Sequence, residues 1–271
     1  QQDVTLIVER LFDQGDHALF AVFDGHGSEG HKAATYVKDI FVEVLENYRQ
    51  LLIVDPATAV KRTFREIHDL LVENEDIDTY MSGTTASVAI WRGRQLIVAN
   101  LGDSRVVLGR QTTNNGYLTH VCPLTSDHTC YNPRELDRVL RTGARVQKLP
   151  EEGSEQGPLR IFKGSLPYPG IVVSRSLGDD VAQRLGVLCD PDVAVHNLTS
   201  EDRYLLLATD GVWDGMSSQA AITLVDRAAR SNSGVDANQA SKHLNDTALL
   251  ALDAKQIDDN ASNVCVFIRY Q

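Results

Sequence analysis

The chain has 271 residues, 42% hydrophobic and 23% charged, a globular composition that excludes a disordered chain or a fibre. A net charge of −11 excludes bulk attraction to nucleic acid or an anionic membrane, and no apolar run approaches the roughly 18 residues a membrane helix needs. Four dispersed cysteines, Cys122, Cys130, Cys189 and Cys265, form no C-x-x-C pair and read as free buried thiols of a reducing compartment. The chain opens on Gln1-Gln2 without a methionine, so a truncated N-terminal edge is expected.

Residues 18–23, Ala-Leu-Phe-Ala-Val-Phe, predict a buried strand running into Asp24-Gly25-His26-Gly27. Ala34, Val37, Phe41, Val44, Leu45 and Tyr48 recur at helical spacing, and Asp55-Pro56 caps a second helix with Val60, Phe64, Ile67 and Leu71 on its core face. Thr85–Trp91 and Gln95–Leu101 read as a hairpin around Arg92-Gly93-Arg94. Arg105–Leu108 and Tyr117–Val121 flank a turn at Asn114-Asn115-Gly116, and Pro133–Arg141 predicts a short helix. Residues 143–170 read as one long irregular segment. Tyr204–Thr209 predicts a strand, Gln219–Ala229 and Ala237–Leu252 a helix pair, and Asn263–Arg269 a last strand. Consecutive strands between helix pairs argue for an α+β fold.

Several aspartates sit where an apolar strand gives way to a tight turn. Asp24, Asp103 and Asp210 each follow such a run, and Asp259 precedes the last strand. Carboxylates converging from strand ends repel unless protonated or bridged by cations. Oxygen ligands of this kind suit Mg²⁺, Mn²⁺ or Ca²⁺ rather than zinc. Singly, each Asp-Gly also reads as an ordinary turn.

Six motifs follow in order: Asp24-Gly25-His26-Gly27, residues 82–86 (SGTTA), residues 99–105 (ANLGDSR), residues 173–179 (VSRSLGD), residues 208–214 (ATDGVWD) and Asp259-Asn260. The series closely resembles the metal-dependent protein phosphatase family, the protein phosphatase 2C type, over nearly the whole chain. The resemblance implies one catalytic domain over residues 1–271, with two antiparallel sheets in a central sandwich. Helix pairs would flank the sandwich, with metals at one end and a variable flap at about residues 143–170. It implies hydrolysis of phosphoserine and phosphothreonine in phosphoprotein substrates, by in-line attack of a hydroxide bridging two Mg²⁺ or Mn²⁺ ions about 3.5–4 Å apart.

On that resemblance, Asp24 bridges the ions, the Gly25 carbonyl holds one, and Asp210 and Asp259 hold the other. His26 would be the general acid for the leaving alkoxide. Asp103 either joins Asp210 at a weaker third site or caps its turn and pairs with Arg105. Asp179 would be an outer carboxylate near that third site, and Gln2, Asp3 and Asn260 would also stand outside the ligand shell. Trp213 reads as core rather than a substrate platform. Two departures stand out. Gln2 occupies a place where the family carries Glu, and the family's phosphate-binding arginine would lie upstream of Gln1. The alternative is a regulatory binding protein of the same fold with weak or no catalysis, and a third reading is a hydrolase of small phosphate esters. A monomer in the cytoplasm or nucleus is expected, with no nucleic-acid or membrane partner.

Overall fold

Strand β2 (His17–His26) shows why its apolar run does not alternate: both of its faces are covered. Phe20 and Val22 point into the space between two sheets, while Leu19, Ala21 and Phe23 point outward into a layer of helices. The computed structural model describes residues 1–111, 118–149, 157–230 and 236–269. Strand β1 (Asp3–Val8) pairs antiparallel with β2, placing Asp3 opposite Asp24. Helices α1 (Gly30–Asn47), α2 (Arg49–Val54) and α3 (Pro56–Val72) follow. As the sequence predicts, the Asp55 carboxylate caps α3, accepting from Thr58 N–H at 3.1 Å. The short α2 between the two long helices was not expected.

Strands β3 (Gly83–Thr84), β4 (Ala86–Arg92) and β5 (Gln95–Leu101) extend the first sheet. Strand β6 (Arg105–Gln111) starts the second sheet beside β7 (Leu118–Pro123). Helix α4 (Pro133–Arg141) leads to β8 (Arg145–Lys148), β9 (Leu159–Phe162) and β10 (Pro169–Ile171). These three form a small separate sheet, which corrects the irregular segment expected over residues 143–170. The turn at residues 114–116 and residues 150–156 of the expected flap lie outside the described residues. Strand β11 (Leu177–Gly178), helix α5 (Asp180–Gln183), strands β12 (Asp192–Asn197) and β13 (Asp202–Ala208), helices α6 (Asp210–Gly215), α7 (Ser218–Arg230) and α8 (Ala237–Ala254), and strand β14 (Asn263–Phe267) complete the chain.

The first sheet runs β11-β3-β2-β4-β5-β12, with β1 also on β2, and the second runs β14-β13-β6-β7. Phe20, Val22, Ala89 and Val98 of the first meet Val106, Leu108, Leu205, Leu207 and Val264 of the second. This is the α+β sandwich that the sequence predicts. Helices α1 and α3 cover the outer face of the first sheet, where Phe41 bridges Phe23 and Phe64 with ring centroids 6.0 and 5.7 Å apart. Helices α7 and α8 cover the second sheet through Ile222, Val225, Leu244 and Ala248. Cys130 and Cys189 are free and buried, whereas Cys122 and Cys265 are free but only half-buried, unlike the expectation for all four. Among the described residues, no helix is long and apolar enough to cross a membrane.

Candidate active site

The acidic residues gather where β2, the β5–β6 turn, the β13–α6 junction and the loop before β14 meet. Asp24 lies inside β2 rather than in a turn beyond it, because β2 continues to His26. Its backbone is held from the neighbouring strand: Asp24 O accepts from the Thr84 hydroxyl at 3.0 Å and from Thr85 N–H at 2.9 Å, and Asp24 N–H donates to Thr85 Oγ1 at 3.2 Å. Asp210 opens α6. Asp24, Asp103 and Asp210 each offer an oxygen within 4.8 Å of the other two. Asp210 Oδ1 is buried with no hydrogen-bond partner. A cluster of half-buried carboxylates with one buried, orphaned oxygen fits a hard divalent cation.

Two further contacts close the assembly. Thr209 donates its hydroxyl to Asp3 Oδ2 at 2.8 Å, and Gln2 N–H donates to Asn260 Oδ1 at 2.8 Å. Asn260 N–H donates to Asp259 Oδ1 at 2.7 Å, so Asn260 orients the carboxylate beside it. A side chain on Gly211 would come within 2.1 Å of Asn260 O, so the start of α6 lies directly against this loop. The Gln2 side-chain amide donates to Gly27 O at 3.1 Å.

The protonation balance follows from this crowding. Burial, then the charges of Asp210, Asp3 and Asp103, holds the Asp24 carboxyl well above the usual carboxylate range. Burial and Asp210 do the same to Asp103. Burial also raises Asp210, and burial with Asp210 pushes Asp259 up to about 7. Asp3 is raised by burial, partly offset by the Thr209 hydroxyl.

His26 stands on the other side of the cluster. Its Nε2 lies 2.7 Å from Asp179 Oδ2, and Ser176 Oγ donates to the same oxygen at 2.5 Å. Burial alone would lower the imidazole, but the charge and hydrogen bond of Asp179, with Asp210 behind, raise it. Asp179 thus serves His26, a role the sequence did not suggest. Arg105 is paired with Asp127, at 3.0 Å from Nε to Oδ1 and 2.7 Å from Nη2 to Oδ2, and not with Asp103 as the turn-capping alternative has it. Trp213 is buried, as expected of a core residue, and donates Nε1–H to Ala208 O at 2.8 Å.

The cluster opens into a cleft of about 440 Å³ lined by Gln2, Asp24, Gly25, His26, Asp103, Asp179, Asp210 and Asp259. Met81, Thr85 and Arg160 also line it, and the sequence reading gave none of these a role in chemistry. Arg160, on β9, is the cleft's one Lys or Arg among the described residues. Its signal, a basic residue inside a segment read as irregular, was too weak to find.

The Protein phosphatase 2C family model matches residues 6–257. The chain belongs to the protein phosphatase 2C family. As a protein phosphatase 2C, it is 34% identical over 257 residues to "Probable protein phosphatase 2C 35" of Arabidopsis thaliana, covering 89% of this chain and 72% of that one. It is also 34% identical over 252 residues to "Probable protein phosphatase 2C 61" of the same plant, covering 92% and 75%. The fold of this protein phosphatase 2C is similar to that of a serine-threonine phosphatase 2C from Toxoplasma gondii, with a TM-score of 0.84, 24% identity, and 99% and 90% of the two chains covered. Family membership makes the chain a protein phosphatase by class, a hydrolase of phosphate esters.

Proposed function

We propose that residues 1–271 act as one catalytic domain, a metal-dependent protein serine/threonine phosphatase that hydrolyses phosphoserine and phosphothreonine. The observation that carries this reading is the convergence of Asp24, Asp103 and Asp210 within 4.8 Å of one another, beside a histidine gripped by its own carboxylate. Asp24, the Gly25 carbonyl, Asp210 and Asp259 would hold two Mg²⁺ or Mn²⁺ ions, and Asp103 with Asp210 a weaker third. Bound there, the ions supply the nucleophile and neutralise charge on the phosphoryl oxygens.

The chain's own residues do the rest. The cleft admits the phosphorylated side chain past Met81, and Arg160 draws the phosphate dianion into an otherwise acidic cavity. His26 carries a proton on its imidazole and passes it to the serine or threonine alkoxide, a poor leaving group without one. Asp179 fixes the ring and favours its charged form.

The test is phosphate release from a phosphothreonine peptide with Mn²⁺, with a chelator, and with Asp210→Asn. Manganese-dependent turnover that both the chelator and the substitution abolish supports the reading. Metal binding without turnover would favour the regulatory binding protein instead, a reading that rests on the uncharged Gln2 amide lining the cleft.

A further inference from the structure

Behind His26 the backbone is held in an unusual shape. Gly178 and Asp179 are consecutive left-handed residues, with φ of +84° and +58°. Glycine adopts this freely, but an aspartate stays there only when its surroundings over-determine it. The surroundings are specific. Asp179 N–H donates to Ser82 O and Asp180 N–H to Thr79 O, both at 3.0 Å. The Gln183 side-chain amide donates to the carbonyls of Ser176 and Gly178, each at 3.3 Å. Gly178 N–H reaches across to α3 and donates to His68 Nδ1 at 3.2 Å.

We propose that His68 is a positioning residue for proton transfer: by accepting Gly178 N–H it fixes the Gly178–Asp179 turn, and through Asp179 the ring of His26. The proposal rests on the reading of His26 as the proton donor. The Asp179 carboxylate has little freedom to compensate for a turn that moves. Ser176 holds the oxygen that faces His26, and a side chain on Gly83 would come within 2.2 Å of that oxygen. His68 is buried, and burial keeps its imidazole neutral, so Nδ1 is an acceptor. A carboxylate could accept the same N–H but would add charge to a crowded anionic end, whereas an imidazole accepts without charge. The arrangement recurs at the other side of the cleft, where buried His128 accepts Gly102 N–H on Nδ1 at 3.2 Å, directly before Asp103. In both places an imidazole Nδ1 anchors the glycine that precedes a cleft aspartate.

The experiment compares wild type, His68→Leu, which lacks the acceptor, and His68→Asn, whose Oδ1 takes the place of Nδ1. Should the leucine variant fold poorly, His68→Gln keeps a polar side chain of similar bulk but moves its acceptor away. Turnover is followed on a phosphothreonine peptide, whose alkoxide needs a proton, and on p-nitrophenyl phosphate, whose phenolate does not. The acceptor-less variants are expected to lose about tenfold in kcat on the peptide and less than about twofold on p-nitrophenyl phosphate, with KM unchanged and Asn restoring the loss. In metal-free protein, the His26 Nε2–H proton signal should vanish into exchange in those variants and persist in wild type and His68→Asn. Equal losses on both substrates, no loss on the peptide, or an unchanged imidazole signal would overturn the proposal. A wild type without turnover would sink the phosphatase reading instead, and the imidazole spectra would still decide whether His68 holds His26.

Discussion

Gln2 and Asn260 are joined by a 2.8 Å hydrogen bond from the Gln2 backbone N–H to Asn260 Oδ1, which ties the start of the chain to the loop that carries Asp259. The Gln2 side chain meanwhile donates to Gly27 O, beyond His26. A neutral amide therefore spans the mouth of a cluster made of carboxylates.

Gln2→Glu should replace that donor by a charge. An ionised carboxylate cannot donate to Gly27 O, and it adds repulsion beside Asp24. We expect a lower melting temperature in chelator, by a few degrees, and a several-fold smaller Mn²⁺ dissociation constant from the extra negative charge beside the ligands. Calorimetric titration of Mn²⁺ and thermal melts of the metal-free variant check both. Weaker metal binding in the variant would refute the account.

The metal-free protein should become more stable as pH falls from about 8 to about 6. The sign follows from the cluster: folded Asp24, Asp103, Asp210 and Asp259 all titrate above their unfolded value of 3.8, Asp259 at about 7. The native state thus binds more protons than the unfolded state in that window, and stability falls as pH rises through it. Saturating Mg²⁺ should flatten the trend, because cations take over the protons' task. Melting curves across pH, with chelator and with Mg²⁺, give the comparison, and parallel curves would contradict it.

Gly211→Ala should disturb metal binding without touching a ligand. Its Cβ would come within 2.1 Å of Asn260 O, so Asp210 and the Asp259 loop must move apart. Overpacking of this kind costs about 1–3 kcal/mol. Affinity for Mn²⁺ should fall by at least about tenfold, since ligand spacing sets cation binding. Wild-type affinity in a folded variant would show that the contact is dispensable.

Glu135, on α4, should govern stability in acid. This buried carboxylate accepts from Arg138 Nη2 at 2.6 Å, Arg175 Nη2 at 2.8 Å and Ser174 Oγ at 2.7 Å. Burial opposes its charge, but the two arginines and the serine outweigh that and hold it far below its unfolded value of 4.5. Its contribution is therefore present above that value and lost as pH falls below it, the reverse of the aspartate cluster. Glu135→Gln leaves Arg138 without its carboxylate and Arg175 with Asp192 alone, and should cost about 3 kcal/mol near neutral pH. Urea unfolding at neutral pH and at about pH 3 should show the difference from wild type shrinking in acid.

The sequence makes the parts with strong local signals legible. Leu19 to Phe23 reads as a buried strand because every position is apolar, and Asp55-Pro56 reads as a helix start because both residues act on their own turn. The ordered motifs around Asp24, Asp210 and Asp259 mark the acidic end. Three features stay hidden for physical reasons. Strands β8, β9 and β10 are three or four residues long and too short for alternation to show. Strand β12 is largely solvent-facing, so Asp192–Asn197 lacks an apolar signature. The link from Asp179 to His26 joins positions 153 residues apart, and that from Gly178 to His68 spans 110. No local pattern encodes a contact that only the packed sheets create.

Asp24 belongs to the layer that α1 and α3 cover, whereas Asp210 and Asp259 flank the two strands that α7 and α8 cover. Away from this end, the layers meet through Phe20, Val22, Leu205 and Leu207, whose apolar surfaces resist separation far more than sliding. At the acidic end, directional bonds from Thr209 to Asp3 and from Gln2 to Asn260 pin the two slabs against shear. A cation shared by Asp24 and Asp210 would act there as a clasp on a book, keeping the open pages in register while apolar packing binds the spine.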